Sequence, residues 1–141
     1  MLLSFIAYLA TLFVFVGLDM VWLTWVGGPA YRAALGDVLL EEARLGPAIA
    51  FYLIYPAGLS MFAAVPFIGG ASFWQAVLRG AAFGFFTYAT YDLSNLATLR
   101  NWTVGVTAMD IGWGCVLGAV AAGSAVQVAS LIGAHFNLPA A

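Results

Sequence analysis

Three aspartates, Asp19, Asp92 and Asp110, stand inside long apolar runs of this 141-residue chain. A carboxylate within a membrane span costs ~2.5–3.5 kcal/mol on insertion scales, so each needs a reason to be there. Asp19 is followed three residues on by Trp22, and Asp110 by Trp113, so a D-x-x-W pattern occurs twice. Tyr88, Asp92, Asn95 and Thr98 follow one another at helical i+3 and i+4 steps, which predicts a polar stripe where Asp92 hydrogen-bonds to its neighbours. Arg32 is the expected cationic partner for Asp19 or Asp92, because the Gly27-Gly28-Pro29 turn can fold it back over them. The candidate ligand-binding set is therefore Asp19, Trp22, Arg32, Tyr88, Asp92, Asn95, Asp110 and Trp113.

An oxygen-rich group of this kind suits a small polar or cationic molecule or a lipid headgroup, in a binding or transport protein. Two alternatives stand beside it. One aspartate, its acidity weakened by burial and like charge, can serve as general acid or base on a lipid-soluble substrate. Or the aspartates only fix helix packing, as in a structural or accessory subunit; Thr107 and Asp110 fit a T-x-x-D capping box at a helix start. Carboxylates without histidine or cysteine carry no zinc signature, and no spacing is diagnostic, so neither a metal nor a cofactor is assigned. His135, the single histidine, lies beyond the last apolar run, and Cys115 is the single cysteine, which excludes a disulfide within the chain. No catalytic residue is assigned.

These residues need elements to hold them, and composition restricts the choice. Charged residues make up 7% of the chain and hydrophobic ones 65%, against roughly 25% charged in a soluble domain, so the lipid bilayer is part of the solvent. A net charge of −2 with only four Lys or Arg leaves no basic patch for nucleic acid. Apolar runs near residues 2–26, 47–67, 73–99 and 107–134 are each long enough to cross ~30 Å of hydrocarbon. The expected fold is all-α, a polytopic membrane protein forming an antiparallel four-transmembrane-helix bundle as one integral membrane domain over residues 1–141. The first run lacks a basic leader and is too long for a signal peptide, so it reads as a retained helix.

The first connection carries most of the charge. Tyr31, Ala34, Leu35, Val38 and Leu39 share one helical face, opposite Asp37, Glu41 and Arg44, which predicts a short amphipathic interfacial helix near residues 30–45. Residues 68–72, Ile-Gly-Gly-Ala-Ser, read as a tight turn, and Pro56 as a kink. Gly80 and Gly84 on the third run, with Gly114, Gly118 and Ala122 on the fourth, supply small-residue stripes for close packing within the chain. Their packing leaves the oligomeric state open.

Arg32, Arg44 and Arg100 share the face of the first and third connections, which places that face in the cytoplasm and both termini on the periplasmic side. Trp22, Trp25, Trp102 and Trp113 gather there as an aromatic belt, and Trp74 marks the other interface. Four antiparallel spans bring all three aspartates into that leaflet, Asp19 and Asp92 ~10 Å and Asp110 ~5 Å below the interface, within reach of one ligand.

The segments Asp19-Met20-Val21-Trp22-Leu23, Tyr91-Asp92-Leu93-Ser94-Asn95-Leu96-Ala97-Thr98 and Asp110-Ile111-Gly112-Trp113-Gly114 resemble those of a family of small bacterial inner-membrane proteins catalogued as domain of unknown function 2177. The resemblance runs over nearly the whole chain. It implies a four-helix protein of the bacterial inner membrane and brings no activity with it.

Overall fold

The computed structural model describes residues 1–70 and 73–139. Among these the fold is all-α, with no strand. Helix α1 spans Leu2–Trp25, α2 Gly27–Leu35, α3 Leu45–Leu59, α4 Phe73–Thr98 and α5 Val104–Phe136. Among the described residues three stretches are long and apolar enough to cross a membrane: Leu2–Trp25, Leu45–Phe67 and Val104–Phe136. Helix α4, 26 residues long, has the length but is diluted by Arg79, Asp92, Asn95 and several hydroxyls.

Helix α5 is the axis of the molecule, with α4 and α1 packed along it. Its small residues make this possible. A methyl group added at Gly80 would overlap the Gly118 carbonyl, and one at Gly84 would overlap that of Gly114, so the α4 and α5 backbones touch. On α1 the buried residues Leu3, Ala7, Thr11, Phe15 and Asp19 recur every fourth position, a single stripe ending in the carboxylate. The core lies in tiers: one around Leu3, Phe67 and Ala129, a middle one around Phe15, Leu59 and Leu117, and a third around Leu35, Trp102 and Val106. The outer faces remain apolar, with Phe13, Ile54, Phe86 and Leu131 all exposed.

Several local features differ from the sequence-based reading. The amphipathic helix ends at Leu35, followed by a 3-10 turn over Gly36–Val38, and residues 39–44 are not helical. Gly36 ends α2 with φ +51 and ψ −124, a backbone conformation that glycine adopts at little cost because it has no Cβ. Helix α3 runs through Pro56, and the departure from α geometry falls one turn later, in a π-helical segment Ser60–Ala64 and a 3-10 turn Val65–Phe67. Residues 68–70 form a turn; Ala71 and Ser72, placed in the same turn from sequence, lie outside the described residues. Helix α5 starts three residues earlier than expected, because Thr103 is its cap and accepts the Val106 N–H at 3.2 Å. Asp110 stands in the second turn and is not part of a capping box.

Candidate functional site

Between the middle and third tiers lies a cavity of about 520 Å³, bounded by parts of all five helices. Asp19 from α1 and Asp110 from α5 both open onto it, each with only 5% of its surface exposed. Asp19 accepts two hydrogen bonds, from the Tyr52 hydroxyl at 2.7 Å and from the Trp113 indole N–H at 3.1 Å. Asp110 accepts from the Tyr31 hydroxyl, which itself accepts from the Trp22 indole N–H at 3.4 Å. Burial and the adjacent Asp110 push the Tyr31 phenol well above its usual range, so it remains a proton donor.

The two D-x-x-W pairs are thus cross-connected. Trp113 serves the aspartate of the other motif directly, and Trp22 serves it through Tyr31. The reason is register: α1 and α5 run in opposite directions where they touch, since Leu3 meets Gly133 and Asp19 meets Trp113. Each tryptophan therefore sits at the level of the opposite aspartate. The two indoles stack at 4.5 Å, 3° from parallel, within the range preferred by aromatic pairs.

Below this polar tier Tyr55 donates to Thr87 at 3.0 Å, while the Thr87 hydroxyl donates to the Phe83 carbonyl. Tyr55 also meets Phe83 and Tyr88 edge to face, at 5.5 and 6.2 Å between ring centres. Above it Trp102 donates to Thr107 at 3.1 Å. The walls between are aromatic and apolar, with Phe51, Tyr88 and Tyr91 on the cavity surface.

Of the residues singled out from sequence, Asp19, Trp22, Tyr88, Asp110 and Trp113 line this one cavity. Arg32 does not: its side chain is exposed, and Asp19 is partnered by Tyr52 and Trp113 in its place. Asn95 is half-buried and Thr98 exposed, its hydroxyl turned back to the Ser94 carbonyl, so the stripe on α4 does not act as one interior network. Asp92 is fully buried, and among the described residues neither carboxylate oxygen has a hydrogen-bond partner within normal distance, the nearby Trp102 indole N–H being directed to Thr107. It is absent from the cavity lining, although it lies close enough to Asp110 and Tyr31 to interact with them electrostatically. No group of three metal-ligating side chains forms among the described residues. The aromatic belt is also different: Trp22, Trp102 and Trp113 turn inward onto the cavity, and of that group only Trp25 stays exposed.

Sequence reading does not reach the site roles of Tyr31, Tyr52, Tyr55 and Trp102. Tyr31 was legible as an apolar-face residue. Only the position of α2 over the end of α5 reveals that its hydroxyl reaches Asp110.

Replacing Asp19 tests the hydrogen bonds just described. Asp19→Leu leaves the Tyr52 hydroxyl and Trp113 indole without an acceptor and is expected to destabilise the protein by ~1–3 kcal/mol. Asp19→Asn, which keeps an acceptor oxygen, should lose less. Thermal unfolding of both variants in one detergent measures the difference, and equal losses would show that the acceptor is immaterial.

A family model described as Predicted membrane protein (DUF2177) matches residues 4–127. No curated protein and no solved structure matches the chain.

Proposed function

We propose, from the premise that the chain belongs to this family of predicted membrane proteins, domain of unknown function 2177, that it binds or transports a small polar, cationic or lipid-like ligand in the Asp19–Asp110 cavity. The observation that carries this reading is the cavity itself. At about 520 Å³ it falls within the ~300–1,000 Å³ typical of small-molecule sites, and two carboxylates converge on its otherwise aromatic wall. Intramembrane carboxylates are expensive, and a packed interior without a ligand role has no need to keep a void beside them.

The same proposal takes α4 as a fourth span, antiparallel to α5, in the bacterial inner membrane. Leu78, Phe85 and Phe86 on its outer face are exposed and apolar, as lipid contact requires. Arg32, Arg44 and Arg100 support a cytoplasmic position for the first and third connections, with both termini periplasmic. Cysteines introduced at Asp37 and Asn101 are expected to react with an impermeant reagent from the cytoplasmic side only, and one at Ser4 from the periplasmic side only. Labelling of Asn101 and Ser4 from the same side rules out four spans.

A structural role has one observation in its favour, because Asp19 ties α1 to both α3 and α5. Filling the void separates the readings. Ala48 lines the cavity from α3, half-buried, and Ala48→Trp is expected to remove small molecules that co-purify with the wild-type protein while leaving its helicity and elution volume unchanged. Mass spectrometry of both preparations reads the result. The same co-purifying molecules at the same yield in the variant would exclude the cavity as their site.

A further inference from the structure

We infer that the occupant of this cavity is an amphiphilic cation, an ammonium-type head on an apolar body and without a phosphate, that lies open to the bilayer between α3 and α4. This rests on the reading of the cavity as a ligand site and names the chemical class that fits it.

Charge selects the head. Asp19 and Asp110 both face the cavity, and Asp92 lies beside it, fully buried with two oxygens unpartnered among the described residues and within electrostatic reach of Asp110. None of the residues lining the cavity is an arginine, lysine or histidine. The four arginines stay outside: Arg32, Arg44 and Arg100 are exposed, and Arg79 lies over the Phe67 ring at the other end of the bundle. Asp19 and Asp110 therefore have hydrogen-bond donors, Asp92 has none, and among the described residues no cationic side chain faces any of the three. A cation from outside supplies what the chain withholds, whereas a phosphate would meet two carboxylates and no cation.

The walls select the kind of cation. Ring faces attract ammonium groups through their quadrupole, and alkylated ammonium ions bind in aromatic cages because they give up less hydration than a bare metal ion. Phe51, Tyr55, Tyr88, Tyr91 and the stacked Trp22 and Trp113 line the cavity onto which the two carboxylates open. A bare metal cation would need a dense shell of oxygens, and no group of three carboxylate or other metal ligands exists among the described residues.

The opening selects the body. The π-helical segment Ser60–Ala64 packs against α4, and Gly58 and Tyr55 touch Phe83, but along the rest of its length α3 itself makes few close contacts with α4. Phe51 on α3 and Tyr91 on α4 are consequently both exposed and both on the cavity surface, 41% and 57% of their areas uncovered. Such an aromatic-rimmed gap in a helix bundle admits an alkyl chain from the side, with the head held at the depth of the aspartates.

The test uses the full chain in neutral maltoside micelles, with tryptophan fluorescence reading the Trp22–Trp113 stack. The probes are octyltrimethylammonium, tetramethylammonium, octylphosphocholine and octyl sulfate, each below its own micelle concentration. Saturable binding of octyltrimethylammonium is expected, at least about 10-fold tighter than each of the other three. In Asp110→Asn the octyltrimethylammonium affinity should fall by about 10-fold or more. Equal binding of octyl sulfate or octylphosphocholine overturns the choice of a phosphate-free cation and leaves the cavity as a ligand site. Equal binding of tetramethylammonium overturns the apolar body. No saturable response to any probe overturns the amphiphilic-cation assignment, while the Ala48→Trp co-purification result decides the ligand-site reading separately. The probe series on the wild-type chain decides between these even if the variant fails to fold.

Discussion

Asp92→Leu is expected to raise the stability of the protein, by ~1–3 kcal/mol, the usual cost of a buried polar group left without partners. Leucine has the branching and the number of side-chain heavy atoms of aspartate, so an unsatisfied group is removed and only the extra bulk of two methyls has to be accommodated. A rise of several degrees in the unfolding midpoint, at fixed detergent and salt, is the measurable consequence. The stripe of Tyr88, Asp92 and Asn95 read from sequence leads to the opposite sign, because there the substitution would strand two partners. A lowered midpoint would show that Asp92 is satisfied by a group bound to the protein in solution. A raised midpoint together with weaker octyltrimethylammonium binding is the signature of a residue kept for function at the expense of stability.

The second large effect is steric. Gly84→Leu is expected to destabilise by about 3 kcal/mol or more, toward or beyond the upper end of overpacking penalties. The obstruction is the Gly114 carbonyl and the neighbouring Cys115 backbone nitrogen, and neither can rotate out of the way as a side chain could. Helices α4 and α5 must separate, which opens the face that carries Tyr88 and Asp110. Gly112→Ala is the matching control: nothing lies within 4 Å of its added methyl, so the change should be neutral or stabilising by up to ~1 kcal/mol through helix propensity. Circular dichroism melts of the two variants make the comparison. Comparable behaviour of Gly84→Leu and Gly112→Ala would mean that the α4–α5 contact is dispensable.

Helix positions are legible in the sequence because hydrocarbon length and backbone satisfaction leave few choices, and the runs near 2–26 and 73–99 end within a residue of α1 and α4. Helix ends decided by local chemistry are less so. A T-x-x-D pattern at Thr107 competes with Thr103 as a cap, and only the observed Val106 N–H contact to Thr103 resolves it. Gly36 ends α2 through its positive φ, a conformation that a face count over 30–45 cannot anticipate. In the candidate site, Asp19, Trp22, Tyr88, Asp110 and Trp113 are legible because the expense of intramembrane carboxylates points to them and helical spacing names their companions. Arg32 is misread because spacing along one helix says nothing about which residues of other helices compete for the same partner, and Asn95 because helical spacing puts it near Asp92 without bringing it to the carboxylate, whose oxygens stay unpartnered among the described residues. Tyr52 and Trp113 take Asp19 before any arginine can.

The cross-connected D-x-x-W pairs have a consequence for how the chain can change in length. Between the Leu3–Gly133 contact and the Asp19–Trp113 contact, α1 and α5 are measured against each other like two scales fixed at both ends. One residue inserted within either span turns everything beyond it by ~100° and shifts it by ~1.5 Å, so both indole links and the indole stack are lost in one event. No compensating substitution at a single position restores them, since the two aspartates are served from opposite helices. Insertions at residues 39–44 carry no such penalty, because that segment is non-helical and lies outside the two fixed marks. Length in this protein is therefore free in the first connection and quantised along α1 and α5, where only a matched change in both helices keeps the aspartates level with their tryptophans.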